Sequence, residues 1–276
     1  MATARKQAAK KAAAKKRPAA KAAPRRTVAA PAQAAEQSAG RRRIVVPSGD
    51  GVPEGPGHSY FADASQKDLE FISTGCSLLD AALGGGFAVG RTANIVGDKS
   101  TGKTLLAQEV SANFLNAHPR ALSRYAESEA AFDVSYANAL GMPTDRIIFN
   151  TDGKPISTVE AWEADLVAFL DKQERSKVPG LYVLDSLDAL SDEAEKERGF
   201  GEGTYGGTKP KLIGQLFREH IDRLRELKVA MLVISQLRDK LGVTFGETKT
   251  RSGGKALDFY ASQIIWLAEI EKIKRT

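Results

Sequence analysis

Apolar positions along the chain follow two rhythms. Short β-favouring runs occur at Thr92–Val96, Leu122–Tyr125, Ile147–Phe149, Leu181–Leu184, Val229–Ile234 and Gln263–Leu267. Between them lie longer stretches whose apolar residues recur at helical spacing. Lys103–Ala117 carries Leu106, Val110 and Phe114, and Thr158–Leu170 carries Val159, Trp162, Leu166, Phe169 and Leu170. Lys211–Leu227 carries Leu212, Leu216, Leu224 and Leu227, and Ala131–Leu140 also reads as helix. The run Leu181–Leu184 has no polar face, which suits a strand buried on both sides. Strands alternating with helices of about ten residues or more predict βαβ units: an α/β fold with a mainly parallel sheet and helices on both faces. Ligands of such sheets bind beyond the carboxyl ends of the strands. No internal repeat is visible.

Upstream of residue 69 neither rhythm holds. Of the first 40 residues, 17 are Ala, and Pro18, Pro24 and Pro31 interrupt any helix that alanine would favour. Nothing large and apolar is available there to bury, so residues 1–50 are expected to be a disordered basic tail. Residues 51–68, with Pro53, Gly55, Pro56 and Gly57, continue as a linker, and residues 69–276 form the core. Charge sharpens this division. The 276-residue chain has a formal net charge of +6, but residues 1–50 hold 13 Lys+Arg against two acids, leaving the remainder at −5. The pI of about 9.3 is therefore a property of the tail, not of a basic globular domain. Such a tail suits phosphate neutralisation on nucleic acid. A neutral solubilising run and an organellar targeting segment are the alternatives; the scarcity of Ser counts against targeting.

Several classes are excluded. One cysteine, Cys76, rules out an intrachain disulfide framework and fits a reducing, cytoplasmic setting. Three scattered histidines offer no linear metal-ligand spacing. No apolar run approaches the ~20 residues of a membrane span, and no apolar segment follows the basic N-terminus.

The sharpest chemical signal is Gly97-Asp98-Lys99-Ser100-Thr101-Gly102-Lys103-Thr104, which follows a predicted strand and opens a predicted helix. That context is the one a phosphate loop needs: the glycines let the backbone wrap the anion, and loop amides and the helix N-terminus face it. Lys103 would reach the β- and γ-phosphates, and the Thr104 hydroxyl would face Mg²⁺. The apolar strand ending in Asp185 supplies a second Mg²⁺ group. A water-polarising carboxylate is available in Tyr125-Ala126-Glu127-Ser128-Glu129; alternation places both glutamates on one side and does not choose between them.

These residues resemble the RecA-type strand-exchange recombinases. The resemblance begins in ISTGCSLLDAALGGGFAVGRTANIVGDKSTGKT (72–104), continues through ESEAAFDVSYANALG (127–141) and LYVLDSLDAL (181–190), and is most specific in SQLRDKLGVTFGETKTRSGGKALDFYAS (235–262). It implies a RecA-like P-loop core using ATP and Mg²⁺, with the nucleotide held by Gly97, Asp98, Lys99, Ser100, Thr101, Gly102, Lys103, Thr104 and Leu105. It also implies adenine contacts from Asp133 and Tyr136, metal contacts from Thr104 and Asp185, and catalytic roles for Lys103, Glu129 and Gln236. Glu129 aligns with the water-activating glutamate and Gln236 with the γ-phosphate sensor.

Two loops, 192–208 and 237–254, look like the family's DNA-binding loops. Their expected DNA contacts are Lys196, Arg198, Arg238, Lys240, Phe245, Lys249 and Arg251. Basic groups among glycines fit sequence-tolerant binding of a single strand. Phe61-Ala62-Asp63-Ala64 resembles a subunit-docking element, although packing on its own core is the plainer expectation. The resemblance further implies strands and basic residues beyond those following Gln263–Leu267 here. The expected activity is an ATP-dependent recombinase, a homo-oligomeric filament on single-stranded DNA that pairs it with homologous duplex DNA in recombination and repair. The alternative is a nucleotide-switched DNA-binding accessory protein; a RecA-fold helicase is disfavoured by the 235–262 stretch.

Overall fold

A computed structural model describes residues 69–129, 132–150, 153–197, 208–239, 249–251 and 255–271. The tail, the linker and Phe61–Ala64 lie outside these residues. In chain order the elements are β1 (Phe71–Ile72), α1 (Ser77–Ala82), β2 (Phe87–Ala88), β3 (Thr92–Gly97), α2 (Lys103–Ala117), β4 (Ser123–Glu127), α3 (Val134–Ala139), β5 (Ile147–Ile148), α4 (Val159–Ser176) and β6 (Gly180–Asp185). There follow α5 (Glu193–Glu197), α6 (Thr208–Glu226), β7 (Val229–Asp239), β8 (Lys249–Arg251), α7 (Ala256–Tyr260) and β9 (Ala261–Leu267).

Six strands pair in parallel in the order β5–β4–β6–β7–β3–β9, and β8 joins antiparallel to the end of β7. The period-2 pattern of the central strands sorts side chains to two cores. Tyr125, Leu181, Val183, Ala230, Leu232 and Ile234 pack with α2 residues such as Val110 and Phe114. Their immediate neighbours Ala126, Tyr182, Leu184, Met231 and Val233 pack with Trp162, Leu166 and Phe169 of α4 and Phe217 of α6. This is the expected α/β architecture: a RecA-like parallel sheet covered on both faces.

Helix α2 has the bounds that its periodicity predicts, and α4 begins where Thr158 caps it, accepting the Ala161 N–H at 3.1 Å. It then runs beyond Leu170 to Ser176, because Gln173 remains buried against the sheet. Strand β7 is longer than Val229–Ile234: Ser235–Asp239 stay extended, with Leu237–Asp239 pairing to β8. What the sequence presents as one long loop from Leu237 is thus strand-paired at its base. In front of the sheet, β1 and β2 form a small antiparallel ladder. Gly86 is required there, since a Cβ would lie 2.1 Å from the carbonyl oxygen of Ile72.

Candidate nucleotide site

Strand β3 lies between β7 and β9, with Gly97 level with Gln236 on one side and Leu267 on the other. The chain turns immediately after Gly97 and re-enters helix at Lys103, with Gly102 at φ 89° as the N-cap. Thr101 Oγ1 donates to the Asp98 carbonyl at 2.9 Å and closes the turn. Asp98, Lys99 and Ser100 are exposed, while the Lys103 side chain is buried and folds back so that Nζ donates to the same Asp98 carbonyl at 2.6 Å. Burial holds the Lys103 ammonium below its usual pKa, opposed by the carboxylates of Asp185, Asp188, Asp98 and Glu129.

Asp185 ends β6 and sits level with Glu127 of β4. Its Oδ2 accepts from Thr104 Oγ1 at 2.8 Å and from the Tyr125 hydroxyl at 2.9 Å. Burial raises the Asp185 pKa, with repulsion from Glu129 and Glu127 adding to it; the two hydroxyl donors act the other way. Burial and the Asp185 charge push the Tyr125 phenol well above its usual range. Two hard oxygen donors, Thr104 and Asp185, thus meet beside a buried ammonium, a donor set suited to Mg²⁺.

Beyond β4 the two glutamates part. Glu127 Oε1 accepts the Phe132 N–H at 2.5 Å, and its backbone is held on both sides by the Asn150 amide. Glu129 reaches across the strand ends: its Oε1 accepts from Ser186 Oγ at 2.9 Å and meets Gln236 Nε2 at 3.4 Å. Ser128 fixes this turn by donating its N–H to the Asp185 carbonyl at 2.8 Å and accepting the Ser186 N–H on Oγ at 2.7 Å. Gln236 does not follow its strand but lies within β7, its N–H donated to Asp188 Oδ2 at 2.5 Å. Lys103, Thr104, Asp185, Glu129 and Gln236 therefore converge at the carboxyl ends of adjoining strands.

The other expected contacts do not join this convergence. Asp133 caps α3, accepting the Tyr136 N–H at 3.0 Å; the Tyr136 ring and Leu105 are exposed. Lys196 is exposed on α5, with Nζ bonded to Ser157 Oγ. Arg238 lies on β7 opposite Thr250, and Lys249 lies on β8 opposite Asp239. Arg198, Lys240 and Phe245 fall outside the described residues.

Arg251, expected as a DNA contact, turns inward. It is 9% exposed, donates Nη1 to Asn94 Oδ1 at 2.6 Å, pairs with Asp258 and lies over the Trp266 ring. Asn94, buried on β3, in turn donates to the Val233 carbonyl and Ser235 Oγ. The cause is the β7–β8 ladder, which returns Arg251 to the core edge.

Tyr125, Asp188, Ser128 and Asn94 are the site residues that sequence reasoning passed over. Only Asn94 carried a local sign, an amide within the otherwise apolar run Ala93–Val96; the other three sit among polar neighbours that mask them.

A parallel sheet with a glycine-bounded loop after β3 and an acid at the end of β6, two strands away across β7, places the protein among the α/β proteins of RecA-like fold. The chain belongs to the RecA family: the RecA N-terminal domain model matches residues 59–276. It is 37% identical over 213 residues to Protein RecA of Streptomyces venezuelae, covering 77% of this chain and 53% of that protein. It is 38% identical over 214 residues to Protein RecA of Nocardioides sp. (77% and 58%) and 33% identical over 213 residues to that of Nostoc sp. (77% and 57%). The chain thus spans just over half the length of these relatives. Among the described residues no helix is long and apolar enough to cross a membrane.

Proposed function

We propose that the core is a DNA-dependent ATPase acting as a recombinase. The convergence of Lys103, Thr104, Asp185, Glu129 and Gln236 at the strand ends is the observation that supports this reading. Residues Gly97–Leu105 would bind the phosphates of ATP, with Asp133 and Tyr136 at the adenine. Thr104 and Asp185 would hold Mg²⁺, which supplies charge neutralisation at the β- and γ-phosphates. Lys103, already desolvated, would exchange the Asp98 carbonyl for a phosphate oxygen, a stronger acceptor. Glu129 would orient and deprotonate the attacking water. Gln236 would leave Glu129 for the γ-phosphate and, through β7, order the segment that follows.

In this reading the segments 192–208 and 237–254 contact single-stranded DNA through Lys196, Arg198, Arg238, Lys240, Phe245 and Lys249, and copies of the chain assemble as a filament that pairs homologous duplex. Arg251 serves as an anchor for the second segment. Residues 1–50 act as a DNA-binding arm and 51–68 as a linker to the core at 69–276.

The test is ATP hydrolysis with and without single-stranded DNA. DNA-stimulated turnover that collapses in Glu129→Gln while ATP binding survives supports the reading; unchanged turnover in that variant overturns the base assignment. The internal commitment of Arg251 favours a second reading, a nucleotide-switched DNA-binding accessory, which predicts ATP binding without DNA stimulation. For the arm, DNA binding of the full chain and of a chain starting at Gly51 are compared across salt; the full chain should show the steeper dependence.

A further inference from the structure

On the sheet face opposite α2, helices α4 and α6 bring together three groups that the nucleotide site does not use. Glu163 comes from α4, and Glu219 and His220 come from α6. One ligand atom from each lies within 4.8 Å of the other two, and His220 Nε2 is 2.9 Å from Glu163 Oε1. Linear spacing conceals the group, because β6, α5 and parts of α4 and α6 separate Glu163 from the other two.

The arrangement exceeds a Glu–His pair. The second carboxylate, Glu219, has Oε1 fixed by Gln215 Nε2 at 2.9 Å, the kind of outer hydrogen bond that orients a metal ligand. The His220 side chain is 12% exposed and that of Glu163 39%, while Glu219 is exposed, so the imidazole is the most desolvated of the three. Both carriers are long helices packed through a shared core that includes Trp162, Leu166, Leu216 and Phe217. Beside the three groups a cavity of about 220 Å³, walled by Val159, Glu160, Leu212 and Leu216, leaves room for water. In a tetrahedral zinc centre with bonds of ~2.0–2.1 Å, neighbouring ligand atoms are about 3.3 Å apart. The His220–Glu163 separation of 2.9 Å is already shorter than that, and Glu219 lies within 4.8 Å of both, so rotamer adjustments bring the three groups onto one ion. The molecule holds a useful contrast: His118 meets Glu70 at 3.2 Å as a simple pair, outside any such group of three.

We propose that Glu163, Glu219 and His220 form a binding site for a divalent transition ion of the zinc class, completed by water from the adjoining cavity. One imidazole and two carboxylates favour Zn²⁺ and its neighbours over Mg²⁺, which takes oxygen ligands and keeps its waters. The ion braces α4 against α6. These helices flank the segment at 192–208: Glu160 of α4 accepts the Glu193 N–H of α5 at 3.3 Å, and Lys209 of α6 donates to the Leu187 and Leu190 carbonyls at 2.8 and 2.6 Å. The site is independent of the nucleotide reading and stands or falls separately from it.

The experiment titrates Zn²⁺ into metal-stripped full-length protein by calorimetry and follows thermal unfolding, without nucleotide. One Zn²⁺ should bind, and Tm should rise by about 5 °C or more at a hundredfold excess over Kd. Glu163→Gln and His220→Gln should each lower affinity at least about tenfold and abolish the Tm rise, while His118→Gln keeps both. No binding by the wild-type protein, or binding retained in both Glu163→Gln and His220→Gln, overturns the proposal; the first result leaves a plain Glu163–His220 ion pair.

Discussion

Two polar clusters lie back to back on the same pair of strands. On one face Arg124 of β4 meets Tyr182 of β6 and Asp165 of α4; on the other, Tyr125 of β4 meets Asp185 of β6 and, beyond it, Lys103 of α2. Each has a buried cation, a carboxylate and a tyrosine hydroxyl, yet they end differently. Arg124 directs Nε and Nη2 to Asp165 at 2.9 and 2.7 Å, Nη1 to the carbonyls of Tyr125 and Ile148, and Nη2 also to Asn150 Oδ1. All five guanidinium N–H groups thereby meet an acceptor. Lys103 donates instead to a neutral carbonyl, with carboxylates acting on it from further away. One cluster is closed and holds the fold. The other keeps unsatisfied charge in a partly desolvated place, where a phosphate and a cation would relieve it.

The largest test of this contrast breaks the closed cluster. Arg124→Ala strands Asp165 beside the sheet and should cost about 3–5 kcal/mol in urea denaturation, whatever the nucleotide. Next, Lys103→Ala should lower ATP turnover by at least about a hundredfold while leaving the unfolding midpoint nearly unchanged. Glu129→Gln should lose turnover comparably but retain ATP binding in equilibrium dialysis. The tyrosines then offer a matched pair. Tyr182→Phe removes a hydrogen bond to an ion-paired carboxylate and should cost about 1.5–3 kcal/mol; Tyr125→Phe should cost less, since Asp185 keeps Thr104.

The smallest expected effect is the pH response of Asp185. Its folded-state pKa is raised by burial, so ionised Asp185 opposes folding. Any stability that it lends is present below the ordinary carboxylate pKa and lost as pH rises through the folded value. Asp185→Asn should therefore raise Tm slightly at neutral pH, with the gain fading on acidification. A fall in Tm would mean that Asp185 belongs to the closed kind of cluster.

Much of this was legible because long elements carry their own period. Lys103–Ala117 could be delimited from Leu106, Val110 and Phe114 alone, and the phosphate loop is read from contiguous residues. Elements of two or three residues carry no period: β5 shows in the sequence only through its bulky apolar run Ile147–Phe149, while β1, β2 and β8, set among Gly, Ser, Thr and charged residues, have no such sign. The inward turn of Arg251 is hidden for the same reason: amid Thr, Gly and Lys it resembles any basic loop residue. Its partner Asn94 lies 157 positions away, on a strand whose only sign of the link is one buried polar residue. Glu127 and Glu129 are equivalent by alternation; the resemblance favours Glu129, and the turn that Ser128 fixes sends the two side chains to different partners.

The two glycines bounding the phosphate loop resist change for unlike reasons, one of space and one of handedness. A Cβ on Gly97 would lie 2.5 Å from Thr101 Oγ1 and 2.7 Å from the Leu267 carbonyl oxygen, whichever way the backbone were disposed to turn. Gly102 has nothing within 4 Å of that position, and only its φ of +89° excludes ordinary residues. A mirror-image alanine, introduced at 102 by chemical ligation, would find that torsion comfortable, whereas an ordinary alanine at 97 would have to displace Thr101 and the end of β9. Mutational drift thus meets a wall at one end of the loop and a chirality filter at the other.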